Sequence, residues 1–115
     1  MLFDFSAYKK YQHVEALFRL LAESAFHMRT MTYEAACKNL GINSKGHAIR
    51  YALGAVAQMC IHLQMPPLNV ICVKTHTHRP GPWAYEANSE SEWRANVAAV
   101  YLTPWMALLN HNEEK

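Results

Sequence analysis

The chain has 115 residues, of which 51% are hydrophobic and 17% are charged. These proportions are enough to build one hydrophobic core, and they exclude a disordered or low-complexity protein. No apolar run approaches the roughly 18 residues of a membrane-spanning helix, and three cysteines without a close pair do not indicate a disulfide framework. We therefore expect a single domain over residues 1–115, located in the cytoplasm, with no membrane partner.

The net charge of +2 is distributed unevenly along the chain. Residues 27–85 carry six cationic side chains and one acidic residue, Glu34, whereas residues 86–115 carry two cationic side chains and five glutamates. A basic middle segment is typical of a surface that faces phosphates, and it is also compatible with an ordinary solvated surface.

Three helices are predicted in the first half of the chain. Apolar residues at spacings of three and four predict a helix over residues 7–27 with Ser6 as its N-cap, beginning with Tyr11 and Val14. Thr32 as a cap and Gly41 as a left-handed C-cap predict a short helix over residues 32–40. A third helix over residues 45–64, capped by Asn43 or Ser44, is predicted from one continuous apolar stripe: Ile49, Leu53, Val56, Cys60 and Leu63.

In the second half of the chain, the spacing of apolar residues changes from the helical period to the alternation of a strand. Residues 68–74 predict a well-buried strand, residues 79–82 a turn, and residues 83–85 a returning strand. Ser89 and Glu92 form a capping box for a helix over residues 90–102, and Trp105 to Leu109 are expected to add one more turn after Pro104. The expected fold class is therefore α+β and mainly helical, with three N-terminal helices, a β-hairpin and a C-terminal helix.

This order of elements is that of a winged helix-turn-helix, in which the third helix enters a groove of DNA and the hairpin lies beside it as a wing. Lys45, His47 and Arg50 lie near the start of the third helix, on the face opposite its apolar stripe. In the wing, an extended strip over residues 74–79 would place side chains along the DNA backbone. The wing residues expected to bind DNA are Lys74, Thr75, Thr77 and Arg79.

Several motifs within residues 31–85 belong together. They are Met31-Thr32-Tyr33-Glu34-Ala35-Ala36, Leu40-Gly41 and Gly46-His47-Ala48-Ile49-Arg50-Tyr51-Ala52-Leu53, followed by Pro67, Val70-Ile71-Cys72-Val73, Gly81 and Tyr85. This pattern resembles the DNA-binding domain of alkylguanine-DNA alkyltransferases and alkyltransferase-like proteins. The resemblance implies a winged-helix fold, with Tyr33 in base rotation and Arg50 in filling the base stack.

The chain departs from that family at the reactive cysteine. The family has Pro-Cys-His-Arg where this chain has Ile71-Cys72-Val73-Lys74, so the histidine that helps to ionise the thiol is missing. We therefore expect a small DNA-binding protein of bacterial or phage origin, without alkyltransferase activity and without a cofactor.

Two alternatives remain open. The aromatic residues Trp93, Tyr101 and Trp105 are expected either in the core or in a protein interface or homodimer. In the second case the chain would be a protein-binding module, such as a phage or mobile-element inhibitor of a host factor. His76 and His78 are weak candidates for a metal site, which would favour a small metal-dependent nuclease.

Overall fold

A computed structural model describes residues 2–79 and 89–113. Within these residues the chain is mainly helical with one small sheet, as expected for the α+β class. None of the described helices has the length and apolar character needed to cross a bilayer. The elements are the 3₁₀ helix Phe5–Ala7, α1 (Tyr11–Phe26), β1 (Met31–Thr32), α2 (Tyr33–Leu40), α3 (Ala48–His62), the 3₁₀ helix Leu68–Ile71, β2 (Cys72–Val73), α4 (Glu90–Leu102) and α5 (Trp105–Glu113).

Helix α1 lies at the centre of the molecule, in contact with α2, α3, α5 and the second 3₁₀ helix. Its apolar stripe is buried from Val14 onward, whereas Tyr11, predicted to belong to the stripe, is exposed. The predicted N-cap is wrong. Ser6 lies in the first 3₁₀ helix, where its hydroxyl donates to Asp4 (2.6 Å), and α1 follows Lys10, whose backbone is left-handed (φ 52°).

The two ends of the chain close over α1. The Phe3 ring is fully buried with its centroid 4.7 Å from that of Phe18, and Trp105 from α5 meets Phe18 edge-on at 5.7 Å. The Asn112 side chain joins these ends, since its Oδ1 accepts from the Phe3 N–H (2.8 Å) and its Nδ2 donates to the Phe3 carbonyl (3.2 Å).

Helix α2 has the predicted caps at both ends. Thr32 Oγ1 accepts from the Ala35 N–H (3.1 Å), and Gly41 is left-handed (φ 69°). The same kind of left-handed residue follows α1 and α3, but there the residues are Met28 and Gln64, which carry side chains (φ 54° at both). No glycine marks these two helix ends in the sequence, and local hydrogen bonds close them, from the Arg29 N–H to the Ser24 carbonyl and from the Met65 N–H to the Cys60 carbonyl (both 2.9 Å).

Helix α3 starts later than predicted, at Ala48. Asn43 forms a separate turn instead of a helix cap, because its carbonyl accepts from the Gly46 N–H (3.2 Å) and its Oδ1 from the Lys45 N–H (2.9 Å). The predicted apolar stripe is confirmed, with Ile49 and Leu53 buried.

The predicted strand over residues 68–74 is mostly wrong. Residues 68–71 form a 3₁₀ helix, and only Cys72–Val73 is extended, although the segment is buried on both sides as expected. β2 pairs in parallel with β1, Met31 opposite Cys72 and Thr32 opposite Val73. A parallel pair requires a long crossover, and α2 and α3 provide it. The predicted returning strand over residues 83–85 lies outside the described residues.

The C-terminal part contains the helix predicted over residues 90–102 and a second helix after Pro104. Ser89 Oγ accepts from the Glu92 N–H (3.1 Å) and begins α4 as predicted. After Pro104 the chain forms the nine-residue helix α5, which is longer than the single expected turn. Burial of Trp105 and Leu109 against α1 accounts for the extra length, because tertiary packing stabilises short helices.

The two hydrogen bonds of Asn112 lead to a first prediction. Asn112→Ala removes both bonds to the Phe3 backbone, so the free energy of unfolding in urea should fall by about 1–3 kcal/mol. Asn110→Ala, an exposed position on the same helix, is the matched control and should change stability by less than about 0.5 kcal/mol. Equal effects of the two substitutions would mean that the two chain ends are not joined through Asn112.

Candidate nucleic-acid interface

The start of α3 presents cationic side chains to solvent. Lys45, His47 and Arg50 are all exposed, while Ile49 and Leu53 of the same helix point into the core. Because α3 begins at Ala48, Lys45 lies in the preceding turn, contrary to the expectation that it belongs to the helix. The predicted exposure of this side of the helix is nevertheless present.

The electrostatics of this end of α3 favour an anion. His47 occupies the N-cap position and makes no side-chain hydrogen bond to the first turn, so the positive end of the helix dipole is not capped by a side chain. The cationic side chains of Lys45 and Arg50 add to that field. The sequence holds no Asp or Glu from residue 35 to residue 85, so α3 itself carries no carboxylate.

The exposed face of α3 continues beyond Arg50. Gly54 lies in its middle, and a Cβ added there would meet no atom of the described structure within 4 Å. Gln58 and Ile61 continue the exposed face toward the end of the helix. Tyr33, which the resemblance associates with base rotation, is the first residue of α2, where it is half-buried and packs against the core.

The polar strip over residues 74–79 is a closed turn. The Lys74 N–H donates to the Arg79 carbonyl (2.9 Å), the His78 N–H donates to the Lys74 carbonyl (2.9 Å), and His78 is left-handed (φ 53°). The expectation of an extended strip over residues 74–79 is therefore wrong. Both histidines, Lys74, Thr75 and Thr77 remain exposed at the surface of the turn.

Arg79 differs from the other predicted DNA-binding residues, because it is already engaged. Its guanidinium donates to Glu90 Oε1 through Nε (2.6 Å) and NH2, and it lies over the Trp93 ring at 4.3 Å from the centroid. The hydrogen bonds from Arg79, and then its charge, hold the pKa of Glu90 below its usual value. This contact attaches the turn to the first two turns of α4.

The parallel strand pair fixes where the turn lies relative to α3. Val73 pairs with Thr32, so the chain leaves the sheet at Lys74 beside the start of α2. Helix α2 has eight residues and is about 12 Å long, and its other end leads through Gly41 to the start of α3. The turn over residues 74–79 therefore lies beside the start of α2, and residues 41–47 connect the other end of α2 to α3.

The geometry of the described residues gives little support to a metal site or to a reactive cysteine. Within residues 2–79 and 89–113 no group of three or more His, Cys, Asp or Glu side chains is placed to hold a metal ion. All three cysteines are buried. Burial raises the pKa of Cys72 and of Cys37, and it raises the pKa of Cys60 to about 11, so each thiol is protonated at neutral pH.

The aromatic cluster divides between core and surface. Trp105 is only 2% exposed and its Nε1 donates to the Val100 carbonyl (2.8 Å), so its ring belongs to the core. Trp93 and Tyr101 are half-buried. Sequence reasoning missed Phe26 and Leu102, which are 69% and 82% exposed and line an apolar groove of about 220 Å³. The sequence could have indicated the exposure of Phe26, because this residue lies outside the predicted apolar stripe of α1.

The buried thiols lead to a second prediction. At mildly alkaline pH, the native protein should react with a disulfide reagent such as Ellman's reagent at least about 100-fold more slowly than the urea-unfolded protein, because both burial and a raised pKa suppress the thiolate. Release of thiolate chromophore is the readout, and Cys72→Ala assigns the contribution of that residue. A native-state fast phase lost in Cys72→Ala would contradict the assignment of Cys72 as a structural residue.

Comparison of the chain with family models, curated proteins and solved structures finds no match. The functional assignment therefore depends on the geometry described above. The relevant features are the exposed cationic start of α3, the exposed turn over residues 74–79 and the contact that holds Arg79 against α4.

Proposed function

We propose that this chain is a small winged-helix DNA-binding protein without alkyltransferase activity. The observation that carries the proposal is the start of α3, where Lys45, His47 and Arg50 are exposed and the N-cap residue, His47, makes no capping hydrogen bond among the described residues. Such an end is suited to phosphate oxygens, because backbone N–H groups and cationic side chains point at the same ligand.

The arrangement of the other elements supports a winged-helix reading. Helix α2, the turn at Gly41 and helix α3 follow one another, and β1 before α2 pairs with β2 after α3. The turn over residues 74–79 then takes the place of the wing. In this proposal the turn and the start of α3 contact phosphates of the same duplex.

The proposed contacts have separate roles. Lys45, Lys74 and the first turn of α3 would bind phosphates, which position the protein without reading sequence. Arg50, one turn into the helix, is the residue placed to reach a base edge or the base stack. Gly54 leaves room for the DNA backbone to approach α3 closely. The buried, protonated Cys72 supplies no nucleophile, which is why alkyl transfer is not part of the proposal.

A third prediction tests this function by fluorescence anisotropy with a labelled duplex. With three phosphate contacts, log K should fall with log salt with a slope of about −2.7, or about 40-fold between about 50 and about 200 mM. Arg50→Gln should weaken binding by about 1–3 kcal/mol. Lys9→Gln, an exposed cation before α1, is the matched control and should leave the affinity within about twofold. Absence of salt-dependent binding, or equal losses in the two variants, would contradict the proposal.

A second candidate function, a protein-binding module, is favoured by one observation. Phe26 and Leu102, at the ends of α1 and α4, flank the apolar groove, whose other lining residues include Tyr101 and Met106. Large apolar side chains exposed together mark association surfaces. The surface is distinct from the start of α3, so the two candidate functions can be tested independently.

A fourth prediction tests this second candidate as self-association. In sedimentation equilibrium the wild type should associate, and Leu102→Ser should weaken the association by about 1.5–3 kcal/mol, which is the value of burying one large apolar side chain. Ile61→Ser is the control, because Ile61 is similarly exposed (73%) but lies on α3. A monomeric wild type, or an equal effect of Ile61→Ser, would exclude self-association through this groove.

A further inference from the structure

The engagement of Arg79 is the strongest polar feature of the turn over residues 74–79. Two guanidinium nitrogens of Arg79 donate to the same oxygen of Glu90, and a third, NH1, donates to the His78 carbonyl (2.9 Å). Glu90 also lies 3.7 Å from Arg94 on the next turn of α4. The carboxylate is therefore the centre of a small charged cluster at the start of α4.

The aromatic ring beneath Arg79 is hydrogen-bonded to the core. Trp93 lies under the guanidinium at 4.3 Å, and its Nε1 donates to the carbonyl of the fully buried Val70 (3.1 Å). An aromatic face below and a carboxylate beside a guanidinium hold it in one orientation. The Arg79 side chain is thus directed toward α4, away from the exposed tip of the turn.

The chemistry of this pair suits an exchange of anions. Carboxylates and phosphates bind guanidinium groups in the same planar geometry. The Arg79 and Glu90 side chains are 37% and 53% exposed, so a competing anion can reach the pair without opening the core. An exposed ion pair contributes little to stability, so phosphate contacts are strong enough to replace it.

Charge also favours the exchange. Lys74 is joined to Arg79 through the backbone hydrogen bond that closes the turn, so a phosphate bound near Lys74 lies close to Arg79. Neither the turn over residues 74–79 nor α3 contains an acidic residue. The low pKa of Glu90 keeps its carboxylate ionised, and therefore competent to compete, through the neutral range.

We propose that Glu90 masks Arg79 in the free protein by occupying the position that a DNA phosphate takes in the complex. This inference rests on the proposed DNA-binding function and adds its regulation: an internal carboxylate lowers the affinity for any duplex until a phosphate displaces it. Arg79 is then a fourth phosphate contact that forms only after the Arg79–Glu90 contact breaks, and it steepens the salt slope expected for the wild type from about −2.7 to about −3.6.

The fifth prediction tests this exchange with a pair of charge-matched variants. Glu90→Gln and Glu92→Gln each remove one negative charge from the first turn of α4, but only Glu90 contacts Arg79. Relative to Glu92→Gln, Glu90→Gln should bind duplex DNA about fivefold more tightly. Its salt slope should equal that of Glu92→Gln, because Arg79 contacts a phosphate in both complexes and Glu90 changes only the free-energy cost of forming that contact. Affinity and slope are measured by anisotropy, after thermal unfolding shows that both variants are folded.

Arg79→Gln completes the experiment. In the Glu90→Gln background this change should abolish the gain in affinity, since no masked cation remains to be released. Equal affinities of Glu90→Gln and Glu92→Gln, or a gain that persists without Arg79, would overturn the inference while leaving DNA binding intact. If neither the wild type nor any variant binds duplex DNA with salt dependence, the proposed function itself fails, and the masking role fails with it.

Discussion

The pairing of Met31 and Thr32 with Cys72 and Val73 is the constraint on which the placement of every candidate contact depends. The ladder itself is only two residues long, so its hydrogen bonds contribute little. It persists because Cys72 and Val73 have no exposed surface and close the core beside α2. The pairing brings segments forty residues apart together and places the turn over residues 74–79 at the start of α2.

The uneven charge of the sequence has two consequences in the folded chain. The start of α3 stays free of carboxylates from its own segment, which preserves its positive field. The acidic C-terminal part, by contrast, contacts the basic middle where Glu90 meets Arg79. Folding therefore brings oppositely charged segments of the chain together at the start of α4, whereas α3 carries no carboxylate of its own.

Cys72 is placed as a structural residue. It is fully buried in β2 and pairs with Met31. Burial disfavours the thiolate, and the neighbouring residue is Val73 in place of the histidine that would assist ionisation. The cationic side chains proposed to contact DNA are thus presented to solvent, whereas this thiol is not.

Features that depend on neighbours in sequence were predictable. Thr32, Gly41 and Ser89 act as caps because the groups they bind lie three or four residues away, and the stripe of α3 is buried because its period matches a helix. Even at this range the turn chemistry of Asn43 outweighed the helical pattern and moved the start of α3 to Ala48. Exposure of Arg50 followed directly from the stripe, since it lies beside Ile49 on a helix.

What the sequence alone determined is therefore the helical content, the ends of α2 and α4 and the cationic side of α3, all of which follow from interactions within a few residues. Only the tertiary structure decided that β2 pairs with β1 and that Arg79 meets Glu90 over Trp93. The reason is physical: these features are stabilised by burial and contacts between segments far apart in the chain, and no local pattern encodes which distant segment will supply the partner.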